Sequence, residues 1–283
     1  MSSIPPAALR RIVAHVDDTS RSQERLAFAG AIAREHGSEL SVLYSALPGY
    51  ALVPLGPDGA GPAIDLLRDA DNERMRKARK MFDRVCTESN VKASWAPCCD
   101  VPVEGGFVQQ ALYADLLVLG QHDATDPQSG WVPGDFVPYV LHASGKPAIV
   151  VPYAGPVPAQ LRTVMVAWKE TRESARALAA ALPLLQKARS VVVMCWADDE
   201  AGARPGVVRI AQFLRLHGVQ AEGVYQGRET PELGETLLSR CTEAGADLLV
   251  MGCYGHSRSR EWVLGGASRT VLRSMTLPVL MSH

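Results

Sequence analysis

No stretch of this 283-residue chain approaches the roughly 18 consecutive apolar residues needed to span a bilayer, which excludes an integral helical membrane protein. Charge of one sign is lacking too. Twenty-nine Lys and Arg stand against 30 Asp and Glu, so nothing draws the chain electrostatically to nucleic acid or to an anionic membrane. The six cysteines show no CxxC spacing and no His/Cys cluster of the kind zinc requires. Missing as well are the Gly-x4-Gly-Lys-Ser/Thr phosphate loop and the Gly-x-Ser-x-Gly nucleophile elbow, and the seven histidines are scattered. The first ten residues have neither the basic nor the apolar segment of a signal peptide, so the expected location is the cytoplasm.

What is present is a repeat. Ala114-Asp-Leu-Leu-Val-Leu-Gly120 returns as Ala246-Asp-Leu-Leu-Val-Met-Gly252. Each copy is followed by a helical stretch and a short apolar strand, residues 146–151 and 277–281. Each half opens with an arginine before an apolar run, at Arg11 and Arg162, and continues into a helix rich in alanine and leucine. Units of this length indicate a duplicated domain rather than a solenoid. The predicted domains are residues 8–153 and 161–283, joined by a Gly/Pro-containing linker at 154–160. Strands of the second half are expected near 162–168, 190–196, 220–225, 246–252 and 277–282. Apolar runs without alternation, separated by helices, imply parallel strands covered on both faces and joined by right-handed crossovers. An extra Gly/Pro-rich loop at 47–62 is expected on the surface as a lid or interface arm.

In such a sheet, of order 3-2-1-4-5, ligands sit beyond the carboxyl ends of the strands where the winding reverses. In the second half that crevice is bordered by Trp168-Lys-Glu-Thr171 and by Gly252-Cys-Tyr-Gly255. The glycines allow a sharp turn and close approach, and the small residues Gly265, Gly266, Ala267 and Ser268 leave helix-start amides open to an anion. A packing role for the same glycines is the alternative. Between them, His256, Arg258 and Arg260 complement a phosphate chain or form an ordinary basic turn. Trp168 and Trp262 are candidates to stack on a ring. Cys253, inside the glycine loop, is a candidate accessible thiol, whereas the other cysteines read as buried and reduced.

These residues resemble the universal stress protein family in its tandem form. Nucleotide-binding members carry Gly-x2-Gly-x9-Gly-Ser/Thr after the fourth strand, and Gly252, Gly255, Gly265 and Gly266 reproduce that spacing. The opening strand Ile12-Val-Ala-His-Val-Asp17 is similar to the family's first strand, which ends in Val-Asp-Gly-Ser. The resemblance implies two tandem Rossmann-like (adenine nucleotide α-hydrolase-like) domains, each a five-stranded parallel sheet with helices on both faces. It also implies a cytoplasmic, non-enzymatic stress-response protein, dimer-like packing often through the last strand, and ATP or another adenine nucleotide with Mg²⁺ as cofactor.

Three departures bear on that ligand. Gly266 stands where the family has Ser or Thr, removing a hydroxyl whose bond to phosphate is worth about 1.5–3 kcal/mol. Lys169 replaces the aspartate that ends the first strand; it can meet phosphate as a point charge or pair with Glu170. The first half keeps Asp17, but Gly120 is followed by Gln-His-Asp123 and further carboxylates at Asp126 and Asp135, which oppose a phosphate. One nucleotide site per chain is therefore expected, formed by Ala167, Trp168, Lys169, Gly252, Gly255, His256, Arg258, Gly265, Gly266, Ala267 and Ser268. The Asp17-Asp18 pair suits Mg²⁺ but lies in the half without the glycine loop. A homodimer is expected through the edge of the terminal strand near Pro278 to Ser282. The alternatives are a nucleotide-independent adaptor acting through protein contacts and a slow ATP-hydrolysing enzyme that would rely on Cys253 or His256.

Overall fold

The computed structural model describes residues 8–52, 61–98, 101–253 and 266–283. Strand and helix alternate except where the strand at 148–151 is followed directly by the one at 163–168, and the chain divides into two compact units, residues 10–146 and residues 147–283 with Ala8 and Leu9.

The first unit contains β1 (Arg11–Val16), α1 (Ser22–His36), β2 (Glu39–Tyr44), α2 (Gly61–Glu88), β3 (Ala93–Pro97), α3 (Val103–Ala111), β4 (Leu116–Gly120) and α4 (Phe136–Ser144). Its strands pair in parallel in the order β3-β2-β1-β4. The central strands β1 and β4 are buried apart from an end residue, which is why their sequences are unbroken apolar runs. The edge strand β3 is largely exposed and alternates. Helices pack as α1 with α2 and α3 with α4. Right-handed crossovers put those two pairs on opposite faces, since the winding reverses after β3. The surface loop expected over 47–62 is shorter than that. A 3₁₀ turn occupies Gly49–Leu52 and α2 begins at Gly61, leaving 53–60 outside the described residues.

The second unit contains β5 (Ala148–Val151), β6 (Thr163–Trp168), α5 (Arg172–Leu185), β7 (Ser190–Cys195), α6 (Glu200–Leu216), β8 (Glu222–Tyr225), α7 (Leu233–Glu243), β9 (Leu248–Gly252), α8 (Gly266–Ser274) and β10 (Val279–Ser282). Five strands run parallel in the expected 3-2-1-4-5 order, β8-β7-β6-β9-β10. β5 departs from the all-parallel expectation. It pairs antiparallel with β10, Val279 opposite Val150 and Met281 opposite Ala148. Both strands are fully buried, so both need hydrogen-bonding partners along each edge. The terminal strand is thus flanked by β9 and β5 and does not offer the free edge on which the dimer expectation was built.

The repeated Ala-Asp-Leu-Leu-Val motif has a structural role in each unit. Asp115 Oδ2 accepts the backbone N–H groups of Arg10 and Arg11 at 2.8 and 2.9 Å. Asp247 Oδ2 accepts those of Arg162 and Thr163 at 2.9 and 2.8 Å. In both cases the aspartate before the fourth strand clasps the start of the first strand. That fixes the register of the two strands whose far ends border the crevice.

Candidate functional site

In the second unit, a cavity of about 140 Å³ lies at the carboxyl ends of β6 and β9. Ala167, Trp168 and Lys169 come from the end of β6, Met251 and Gly252 from the end of β9, and Gly266, Ala267 and Ser268 from the first turn of α8. Thr171, Glu173 and Ser174 add the start of α5. Seven of the eleven sequence-derived site residues therefore meet at one cavity. The other four, Gly255, His256, Arg258 and Gly265, lie outside the described residues, as does Trp262.

Sequence reasoning missed half of the wall. Trp196 follows the end of β7, and Glu229, Leu233 and Leu237 come from the β8–α7 loop and α7. A reading confined to the first and fourth strands overlooked that a neighbouring strand end also opens into the crevice. With two tryptophans, two leucines and Met251, the wall is mainly apolar, suited to a ring system. Its volume is below the ~300 Å³ at which complete small-molecule sites begin.

The charges are specific. Lys169 Nζ lies 2.8 Å from Glu229 Oε2. The pairing of Lys169 with Glu170 considered from sequence is not what forms, because Glu170 is bound by Arg209. Glu173 is buried, and its carboxylate accepts a bond from Arg172 Nε. Burial pushes this carboxyl up, but Arg172, its own backbone N–H and Thr171 outweigh burial and hold it below the usual carboxylate range. Glu173 is therefore ionised at neutral pH. Two carboxylates and one lysine line the described part of the cavity, a balance that does not favour a highly charged phosphate chain.

Gly252 has a packing reason to be glycine. A Cβ there would lie 2.5 Å from Ser174 N and 2.6 Å from the Glu173 carbonyl carbon, so the first turn of α5 occupies the space a side chain would need. Thr171 caps that turn, accepting the Ser174 N–H. Gly266 differs: among the described residues a Cβ there meets nothing within 4 Å. Cys253, next to Gly252, is buried rather than accessible. Burial and the neighbouring Glu173 carboxylate push its thiol far up, which overturns the reading of an exposed reactive thiol. Burial likewise raises Cys195 to about 11 and Cys241 to about 12.

The corresponding place in the first unit is filled. Arg25, buried on α1, lays its guanidinium where a side chain on Gly120 would stand. Arg25 Nη2 is 3.0 Å from Asp17 Oδ1, Nε donates to the His15 carbonyl at 2.7 Å and Nη2 donates to Ser22 Oγ. Thr19 and Ser22 hydroxyls donate to Asp17 Oδ1. Burial alone would raise the Asp17 carboxyl, but Arg25, His15 and the two hydroxyls hold it well below the ordinary carboxylate range. Asp17 is thus engaged within the protein. Asp126 takes the Ser20 and Gln128 N–H groups at 3.0 and 2.8 Å, donors that an anion would otherwise use. His15, as expected for a core residue, is buried against Phe107 and Phe136, with Nε2 2.9 Å from the Ser45 carbonyl oxygen. Among the described residues no group of three or more His, Cys, Asp or Glu side chains could hold a metal ion. No helix of the described residues is long and apolar enough to cross a membrane.

Comparison with known proteins agrees with this geometry. A model of the Universal stress protein family matches residues 160–283. A universal stress protein from Archaeoglobus fulgidus DSM 4304 superposes with a TM-score of 0.74 at 17% identity, over 96% of this chain and 95% of that one. A putative universal stress protein from Pseudomonas aeruginosa UCBPP-PA14 gives 0.59 at 14% identity, covering 97% and 93%. A functionally unknown protein from Pseudomonas aeruginosa PAO1 gives 0.59 at 15%, covering 97% and 92%. A search of curated proteins finds no match. At these identities the structures speak for the fold, while the family model speaks for the second half. The second unit is a domain of the universal stress protein family, and the chain as a whole has the α/β fold of universal stress proteins over nearly its full length.

Proposed function

We propose that this protein is a cytoplasmic, non-enzymatic stress-response protein that binds one adenine nucleotide per chain, in the second unit, and works as a homodimer. The observation that carries the reading is the convergence of Trp168, Trp196 and the first turn of α8 on one cavity at the ends of β6 and β9. In this reading the ring lies against the apolar wall and the phosphates run toward the α8 amides, where the helix dipole favours negative charge. ATP with Mg²⁺ is the expected ligand. Affinity is weak, because Lys169 is already paired and Glu173 and Glu229 oppose the phosphates. The first unit takes no nucleotide, since Arg25 occupies the space beside Gly120 and pairs with Asp17.

Calorimetric titration with ATP–Mg²⁺ of wild type and Gly266→Asp tests this. An added Cβ meets none of the described residues, and the substitution puts a carboxylate at a helix start, where it is compatible with folding but repels phosphate. The expected result is one site per chain, lost in the variant. Binding unchanged by Gly266→Asp would refute the placement. A nucleotide-independent adaptor is the second reading, favoured by the same two carboxylates, and the absence of any heat at millimolar ATP would select it.

A further inference from the structure

The first unit holds a larger and more polar cavity, of about 410 Å³, between the turn after β1, one side of α2 and Gln128. Its lining carries both signs of charge: Asp17 and Asp18 from the turn, Arg74 and Lys77 from α2. Asp17 is committed to Arg25. The end of the Arg74 guanidinium is committed as well, to Asp71 through Nη2 and to the face of Trp131, 3.5 Å away. What remains is a complementary pair of orphans. Asp18 Oδ1, an acceptor, and Arg74 Nε, a donor, are both shut away from solvent and have no hydrogen-bond partner among the described residues. Native proteins leave few such atoms. Both atoms belong to residues that line the cavity, so its wall brings a carboxylate and cationic side chains to one space.

The charge pattern narrows the class. A simple anion would be opposed by Asp17 and Asp18, and a bare metal cation by Arg74 and Lys77. A molecule bearing both charges a few ångströms apart meets neither objection. Ala78 and Met81 supply a short apolar strip beside the charged groups. We propose that this cavity binds a small zwitterion of the α-amino-acid type, its ammonium group against Asp18 and its carboxylate against Lys77.

Burial and the neighbouring Asp17 push the Asp18 carboxyl up, its own N–H, Arg74 and Lys77 only partly opposing them. An ammonium group would favour its charged form. Binding is accordingly expected to weaken in acid, as Asp18 takes up a proton.

The test is calorimetric titration of the full-length protein with glycine, alanine, leucine and methionine, with butylamine and butyrate as single-charge controls. At least one amino acid should bind saturably, with both controls at least about tenfold weaker. Asp18→Asn and Lys77→Gln should each weaken binding about tenfold or more, while far-UV circular dichroism and the thermal midpoint of the free protein stay unchanged. The proposal is overturned if no amino acid binds up to about 10 mM, if binding survives both substitutions, or if one control binds as tightly as the amino acid. None of these outcomes depends on whether the second unit takes a nucleotide.

Discussion

Replacing Gly266 by serine is expected to strengthen nucleotide binding. The position opens α8, and an added Cβ finds no atom of the described residues within 4 Å, so none of them opposes the substitution. Serine is also a better residue than glycine near a helix start, so the thermal midpoint should hold or rise slightly. A hydroxyl there can donate to a phosphate oxygen. One hydrogen bond to a charged group is worth about 1.5–3 kcal/mol, which corresponds to roughly 10- to 150-fold in affinity. Calorimetric titration with adenosine, AMP and ATP–Mg²⁺ separates the contributions of ring and phosphate. The gain should appear with AMP or ATP and be absent with adenosine. An ATP affinity equal to wild type, or an equal gain for adenosine, would refute the placement of phosphate at the start of α8.

Three further outcomes follow from the two units. Arg25→Met should cost about 3–5 kcal/mol in chemical denaturation, because it leaves the Asp17 carboxylate buried without its cation; a loss below about 1 kcal/mol would show that the ion pair is not what seals the first unit. Asp247→Ala should cost about 1–3 kcal/mol by removing the acceptor for the Arg162 and Thr163 N–H groups, read from the same kind of denaturation curve. His15 carries an acid-sensitivity signature. Burial, then the Arg25 charge, lowers its pKa from 6.5 to about 4, so between those values the unfolded chain binds a proton that the folded chain excludes. Stability is therefore lost as pH falls through that window, by up to about 3 kcal/mol, and His15→Gln should flatten the slope.

Much of the scaffold could be read in the sequence because it rests on local pattern. Unbroken apolar runs announced buried parallel strands, and the repeated Ala-Asp-Leu-Leu-Val motif announced duplication. The glycine spacing directed attention to the strand ends where Ala167, Trp168, Lys169, Gly252, Gly266, Ala267 and Ser268 meet. What could not be read depends on which distant side chain arrives. Gly252 looked like a phosphate glycine, yet the α5 backbone lies against it. Gly120 stands where the first half has lost the glycine loop, and the Arg25 guanidinium covers it; nothing in a helix-resident arginine marks that destination. Glu173 and Glu229 carry no sequence mark of a site, and only folding brings them to the cavity. The antiparallel pairing of β5 with β10 joins segments some 130 residues apart and has no local signal.

The central claim is that nucleotide binds in the second unit alone, and indole NMR tests it most directly. The chain has five tryptophans, of which Trp168 and Trp196 line the cavity while Trp95 and Trp131 belong to the first unit. Titration of ¹⁵N-labelled protein with ATP–Mg²⁺ should move the Trp168 and Trp196 indole signals together along one saturation curve and leave Trp95 and Trp131 in place. Movement of Trp95 or Trp131 instead, or no movement of any indole at millimolar ATP, would contradict the account.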